Sequence, residues 1–242
     1  MKKNRMNETI NQLNQLFAGK STVEALAHVA GRYHGKVAFS TSLGAEDQVI
    51  TDMLAAARVP VRIFTLDTGR MFPEIYDLLV ITEKKYNLHI DVYFPEAGAV
   101  EKMVRSKGIN LFYDSIENRK LCCQHRKTEP LKRALSGMEV WITGLRREQS
   151  VTRSGLRTVE WDETNRLIKV NPLMDWTNNR VWEYIHSLKL PYNPLHDKGY
   201  PSVGCQPCTR AVRSGEDIRS GRWWWEIPEN KECGIHVANK KD

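Results

Sequence analysis

The chain has 242 residues, of which 41% are apolar, and its 36 Lys and Arg against 29 Asp and Glu give a formal charge of +7 at pH 7. This length and apolar content suffice for a folded core and exclude wholesale disorder. No segment approaches the roughly 20 apolar residues of a membrane helix. The lysines near the N-terminus precede no apolar run, so we expect a cytoplasmic protein without a secretory signal. The positive charge fits either a nucleic acid or a small anionic ligand.

Apolar residues predict helices and strands that alternate along the chain. Their spacing over residues 7–33 is typical of one or two helices. Short apolar runs predict five strands, over residues 36–40, 61–67, 89–94, 139–144 and 167–173. Helices are predicted between the strands, among them one that Pro73 opens and one over residues 126–135.

This alternation predicts an α/β fold, with an open, mostly parallel sheet flanked by helices, and with ligands bound at the carboxyl ends of the strands. After about residue 190 the composition changes to Pro, Gly, His and Cys, followed by three consecutive tryptophans. We divide the chain into an N-terminal helical segment (1–34), an α/β domain (35–210) and a mobile C-terminal tail (211–242), all within one structural domain.

Three loops at predicted strand ends are typical of anion binding. Residues 40–47 combine hydroxyls and a glycine before a helix, which can hold a phosphate or sulfate, although a helix cap without a ligand is the alternative. They lack the Lys-Ser/Thr ending of a nucleoside-triphosphatase P-loop. Residues 66–70 end the next strand in the same manner, and the two loops indicate a nucleotide across the sheet edge. Residues 144–153 carry Arg146, Arg147 and Arg153, which indicate an anion clamp rather than a solvated basic loop.

Four of the five cysteines form two tight pairs, Cys122 with Cys123 and Cys205 with Cys208. An odd cysteine count in a cytosolic chain argues against a disulfide scaffold. Adjacent ligands are awkward on one tetrahedral zinc ion, whereas a 4Fe–4S cluster offers each thiolate a separate iron. The pattern therefore favours an iron–sulfur cluster over zinc and over four free structural cysteines. With four thiolates present, His125 is interpreted as a neighbour of the ligands.

Two further residues are placed to act beside such a cluster. Lys127 can bring its ammonium between the cluster and an anionic ligand, although a solvated lysine is the alternative. Cys233 is the unpaired fifth cysteine, and a lone cysteine is often inert. The tail before it carries Arg219, Arg222 and three tryptophans, which indicate that the tail docks on the domain and leaves Cys233 free to reach the anion site.

Residues 35–238 resemble the assimilatory adenylyl-sulfate and phosphoadenylyl-sulfate reductases. The motifs that carry the resemblance are residues 40–47, 66–70, 122–123, 144–153, 205–208 and 232–236. The four paired cysteines resemble the iron–sulfur-containing adenylyl-sulfate branch, since phosphoadenylyl-sulfate reductases of the enterobacterial kind keep only the terminal cysteine. The resemblance implies a fold like that of the adenine nucleotide alpha hydrolases.

The resemblance also implies a reaction and a site. Adenosine 5′-phosphosulfate (APS) would be reduced to sulfite and AMP through an S-sulfocysteine at Cys233, with one 4Fe–4S cluster on the paired cysteines. Thioredoxin or a glutaredoxin-like protein would be the reductant, nucleic acid and membrane would not be partners, and a homo-oligomer is compatible with the sequence. The residues implied to bind substrate are Ser40, Ser42, Gly44, Glu46, Asp47, Leu66, Thr68, Lys127, Gly144, Arg153, Arg219, Arg222 and His236.

Other functions are retained as alternatives. The chain could reduce 3′-phosphoadenosine 5′-phosphosulfate (PAPS), alone or together with APS. The related adenylating enzymes would release pyrophosphate from ATP and would not need Cys233. An iron–sulfur or RNA-binding regulator would bind RNA in a salt-sensitive manner and release no sulfite.

Overall fold

The computed structural model describes residues 2–149, 155–227 and residue 235. The helices in these ranges are α1 (Lys2–Gly19), α2 (Thr22–Arg32), α3 (Ala45–Ala57), α4 (Pro73–Tyr86), α5 (Ala97–Lys107), α6 (Ile116–Cys123), α7 (Glu129–Ala134) and α8 (Asn178–Ser187). The strands are β1 (Val37–Ser40), β2 (Arg62–Leu66), β3 (Ile90–Tyr93), β4 (Val140–Ile142), β5 (Val159–Asp162) and β6 (Leu167–Val170). None of these helices combines the length and the apolar character that a membrane crossing requires.

The strands form one sheet in the order β3-β2-β1-β4-β6-β5. All neighbouring pairs are parallel except β5 and β6. The order reverses between β1 and β4, because the chain first builds outward through β2 and β3 and then returns to the other side of β1. Open α/β sheets bind their ligands in the crevice at such a reversal. The topology therefore predicts a site beyond the ends of β1 and β4.

Side chains alternate between the two faces of the sheet, as strand geometry requires. Val37 and Phe39 of β1 pack into the larger core with residues of α2, α3 and α8. Ala38 faces the opposite side and packs with α7, as does the fully buried Trp141 of β4. Helices thus cover both faces, which parallel sheets need because neither face is polar.

The N-terminal helices pack on the sheet. Ser21 and Glu24 form a capping box that begins α2. Asn14 of α1 reaches the outer edge of β5, where its Nδ2 donates to Val159 O at 2.9 Å and its Oδ1 accepts from Val159 N at 3.1 Å. Through Asn14, α1 covers the edge of β5 as a neighbouring strand would.

The predicted open, mostly parallel sheet is confirmed, with strands in all five predicted places. The predicted start of a helix at residue 126 was wrong, because the helical segment already begins with α6 at Ile116. Ser115 caps α6, since its Oγ accepts a hydrogen bond from Asn118 N at 3.1 Å. The antiparallel strand β5 was not predicted, because its alternating charged residues are typical of a half-exposed edge and form no apolar run. The division into three segments stays a prediction.

We predict that Asn14→Ala lowers the free energy of unfolding by about 1–3 kcal/mol, because two backbone groups of Val159 lose their partner. Urea denaturation followed by circular dichroism measures the change. Asn11→Ala is the matched control, since Asn11 is exposed on the same helix, and its effect should stay within about 0.5 kcal/mol. Equal effects of the two substitutions would show that the contact with β5 contributes nothing.

Candidate functional site

A cavity of about 640 Å³, here called the edge cavity, opens at the carboxyl ends of β1, β2 and β4. Loops that follow these three strands form one wall, and residues of the segment 196–223 form another. The cavity lies where the strand order reverses. Its volume is within the range of about 300–1,000 Å³ typical of small-molecule sites.

The loop after β1 is held by a buried carboxylate. Ser42 donates its backbone N–H and its hydroxyl to Asp47 Oδ2, at 2.6 and 2.7 Å. Burial raises the pKa of Asp47 to about 6, although the hydrogen bonds from Ser42 oppose that rise. The donors of Ser42 that were predicted to hold an anion are therefore already engaged with Asp47. All five predicted residues of this loop line the cavity, namely Ser40, Ser42, Gly44, Glu46 and Asp47.

Gly144, two residues after the end of β4, has no room for a side chain. A Cβ there would lie 2.1 Å from Asp47 Oδ1 and 3.3 Å from Glu46 Cβ. The end of β4 consequently packs against the first turn of α3, and only glycine permits this approach. Gly144 lines the cavity as predicted.

The first two arginines of the predicted anion clamp are compensated within the protein. Arg146 is buried, with its Nε 2.8 Å from Glu46 Oε1 and its Nη1 3.3 Å from Glu148 Oε2. Arg147 pairs with Asp175 at 2.5 Å. Glu46 and Asp175 are distant in sequence and Glu148 lies on the same turn, and none of the three was predicted. Arg153 lies outside the described residues.

Cations reach the cavity from other elements. Lys127, Arg219 and Arg222 line it as predicted, and so does Arg213, which sequence analysis missed. The Arg222 guanidinium lies directly on Gly204, where a Cβ would be 2.3 Å from Nη2. Its Nη1 donates to neighbouring backbone and hydroxyl oxygens of residues 202–203 at 3.3 Å. The local backbone thus fixes this cation before any ligand binds.

Cys122, Cys123, Cys205 and Cys208 line a second, smaller cavity, here called the cysteine cage. None of the four forms a disulfide. Burial and the neighbouring Cys205 raise the pKa of Cys208 to about 12, and burial also raises that of Cys122. Across residues 2–149, 155–227 and 235, no three His, Cys, Asp or Glu side chains are close enough to hold one metal ion. Both cysteine pairs line this one cavity.

The loop after β2 lies between the edge cavity and the cysteine cage. Leu66 and Thr68 line the edge cavity, as predicted. Thr68 also turns toward the cage, with its Oγ1 3.2 Å from Cys205 Sγ. Arg126 fixes the loop from the cage side by donating from Nη1 to Thr68 O at 2.6 Å. The two cavities therefore share this wall.

A single π-helical turn, Gln124–Thr128, joins α6 to α7 immediately after the cysteine pair. It carries Lys127, which lines both the edge cavity and the cysteine cage, while His125 contacts Glu129 at 3.2 Å. Such insertions often occur at functional sites, because the extra residue redirects the side chains that follow. Sequence analysis missed this turn.

Two buried arginines around the cage were also missed, Arg119 and Arg126. The signal for them is present in the sequence, since they lie three residues before and four residues after Cys122, on the same face of a helix. Cys233 and His236 lie outside the described residues. Ile235, from the same tail, lines the edge cavity and packs against the apolar residues around the cage.

We predict that Gly144→Ala abolishes binding of AMP, because the added methyl group forces Asp47 or β4 from its place. Isothermal titration calorimetry measures the affinity. Gly31→Ala is the control, since a Cβ at Gly31 meets nothing within 4 Å, and it should bind AMP as the unmodified protein does. Unchanged affinity in Gly144→Ala would mean that this close approach does not shape the nucleotide site.

Comparison with known sequences agrees with this geometry. Residues 36–211 match the family described as phosphoadenosine phosphosulfate reductase domain. A protein of Allochromatium vinosum named adenosine 5′-phosphosulfate reductase is 52% identical over 216 residues, covering 89% of this chain and 84% of that protein. One of the same name from Burkholderia cepacia is 47% identical over 224 residues, covering 93% and 90%.

Solved structures agree as well. The phosphate complex of the phosphoadenylyl-sulfate reductase of Candida auris superimposes with a TM-score of 0.71 at 30% identity, covering 85% of this chain and 97% of that one. The FMN adenylyltransferase of Candida glabrata, at 15% identity and a TM-score of 0.56, covers 95% of this chain and 76% of its own and shares the fold alone. With a family match over most of its length and relatives near half identical, the chain belongs to the phosphoadenosine phosphosulfate reductase family.

Proposed function

We propose that this protein reduces APS to sulfite and AMP in sulfate assimilation, using Cys233 as nucleophile and a dithiol protein of the thioredoxin type as reductant. The observation that carries the proposal is that Lys127, Arg222 and Trp223 line both the edge cavity and the cysteine cage. An anion-binding nucleotide cavity thus adjoins a four-thiol site. Relatives 46–52% identical, all named adenosine 5′-phosphosulfate reductase, support APS as the substrate.

In the first step, the Cys233 thiolate attacks the sulfur of the sulfate group. The new S–S bond forms as the S–O bond to the AMP phosphate breaks, and AMP leaves with that electron pair. Cys233 is left as an S-sulfonate. Ile235 supports this assignment, because it lines the edge cavity and only one residue separates it from Cys233.

Charge is the main barrier to this step, since an anionic thiolate approaches an anionic sulfate. Lys127, Arg219 and Arg222 line the edge cavity and would offset the charge on the phosphosulfate. Arg222 is already fixed on Gly204, so it loses little freedom when the ligand binds. Arg153 and His236 are proposed to add to this set.

The four cysteines of the cage would hold one 4Fe–4S cluster. All four cysteines line one cavity, and the adjacent pair Cys122 and Cys123 fits a group with a separate iron for each thiolate better than it fits one zinc ion. Four cationic side chains around them would offset the charge of four thiolates, namely Arg70, Arg126, Lys127 and Arg222. When bound, the cluster would supply a fixed local charge beside Lys127 and would tie the two cysteine pairs together.

In the second step, a reduced dithiol protein cleaves the S–S bond of the S-sulfonate. The sulfonate group leaves as sulfite, Cys233 becomes a thiol again, and the dithiol is oxidised to a disulfide. This transfer supplies the two electrons that the reduction of sulfate to sulfite requires.

PAPS is the second candidate substrate. The solved phosphoadenylyl-sulfate reductase of Candida auris favours it, at 30% identity. The closer resemblance to APS reductases favours a nucleotide without the 3′-phosphate. Comparing sulfite release from the two nucleotides decides between them, and equal or faster turnover of PAPS would refute the preference for APS.

We predict that anaerobic protein mixed with APS, without reductant, releases a single equivalent of AMP and gains the mass of one sulfonate on the peptide that contains Cys233. Chromatography of the nucleotides and mass spectrometry of the peptides measure both. Cys233→Ser should bind AMP normally and release none from APS. Release of AMP from APS by Cys233→Ser would refute the assignment of the nucleophile.

We also predict that anaerobically purified protein contains iron and acid-labile sulfide in equal amounts. Cys205→Ser should lose most of both, because it removes one of the four ligands. Cys233→Ser is the matched control and should retain both. Zinc in place of iron, or full iron content in Cys205→Ser, would refute the cluster.

A further inference from the structure

A buried, bidentate ion pair that takes no part in the proposed reaction steps joins Arg119 to Glu226. Arg119 Nε and Nη2 donate to the two carboxylate oxygens of Glu226 at 2.9 and 2.8 Å. The side chains are 1% and 3% exposed. A bidentate pair of this kind combines charge with a fixed direction. Arg119 lies on α6, and Glu226 lies 107 residues away, after the three tryptophans.

Arg119 also contacts the cysteine cage. Its side chain lines the cage beside Cys123, to which the guanidinium hydrogen-bonds. The same guanidinium lies 4.8 Å from the centre of the Trp223 ring. The Arg119 guanidinium therefore contacts a cage cysteine, a carboxylate and an aromatic ring at the same time.

The segment that Glu226 ends, residues 221–226 and here called the tail root, also contacts the second cysteine pair. Trp223 N donates to Cys208 O at 3.1 Å, and Thr209 forms a β-bridge with Arg222. Glu226 N closes a turn on Trp223 O at 2.8 Å. The tail root is thus connected to Cys208 through its backbone and to Cys123 through Arg119.

We propose that Arg119 and Glu226 are a positioning pair, which holds the tail root against the cysteine cage and thereby sets where the tail delivers Cys233. The inference rests on the proposed function in that Cys233 is the nucleophile. Cys233 is seven residues beyond Glu226, so the position of the root limits how far from the cage Cys233 can lie. Because Arg119 also contacts Cys123, the position of the tail root depends on an intact cage.

The test uses anaerobically purified protein of full length with two substitutions. Glu226→Gln removes the charge of the pair, and the double variant Arg119→Met/Glu226→Met removes the tether without leaving an unpaired buried charge. Glu139→Gln is the control, since Glu139 forms an exposed pair with Lys36 at a distance from the site. Trypsin cleavage after Arg222 reports release of the root, because Arg222 and Trp223 are buried.

We expect both variants to be cleaved after Arg222 about tenfold faster than Glu139→Gln, as loss of a charged hydrogen bond implies. Their iron content and AMP affinity should be unchanged, while the single-turnover release of AMP from APS falls about tenfold. Cleavage at the rate of the control in either variant would overturn the proposal. Loss of iron in step with cleavage, or an equal loss of AMP affinity, would also overturn it, because the pair would then support the cage or the cavity instead.

The cleavage rate requires no substrate, so it separates this inference from the proposed function. If the unmodified protein released no AMP from APS, the proposed function would fail while the cleavage result still reported on the tether. If AMP release were normal and cleavage unchanged, the positioning pair alone would be refuted.

Discussion

The Trp223 ring lies 4.8 Å from the Arg119 guanidinium and 4.7 Å from that of Arg222, and the face of an indole attracts cations. Two like charges can therefore lie close together in a buried place. Arg119 contacts the cysteine cage, and Arg222 lines both the cage and the edge cavity. Trp223 N donates a hydrogen bond to Cys208 O, which holds the ring beside the cage. The ring in turn holds the two cations. The arrangement of the site depends on this contact.

Elsewhere, the loops after β1 and β4 line the edge cavity with polar groups that already have partners within the protein. Asp47 holds Ser42, and Glu46 holds Arg146. Buried polar groups need such partners because an unsatisfied one is costly. These side chains are already ordered in the free protein. Binding a ligand therefore costs little of their conformational entropy. Lys127 and Arg222, which also line the cavity, would favour an anionic ligand.

Much of the sheet and of the edge cavity could be predicted from local sequence patterns. The apolar runs that became β1 to β4 and β6 indicated the sheet, and the carboxyl ends of parallel strands share one edge, so the loop at residues 40–47 and Gly144 were expected to meet. Which side chains form ion pairs with each other could not be predicted in the same way. Arg146 was expected to face an anion, but its partner Glu46 is 100 residues away, and Arg119 pairs with Glu226 across a similar distance. Such pairs follow from three-dimensional packing, and no local spacing reports them. The π-turn that directs Lys127 has no sequence periodicity of its own.

The contact between Asn14 and β5 also affects how this protein meets other molecules. An edge strand offers unpaired N–H and C=O groups to any extended chain, which makes it a template for aggregation. Asn14 occupies both groups of Val159 with an amide that copies the peptide hydrogen-bonding pattern but cannot propagate it. A second chain that adds a strand at Val159 would first have to displace α1. α1 thus prevents another strand from adding to this edge of the sheet, and it does so through the single side chain of Asn14.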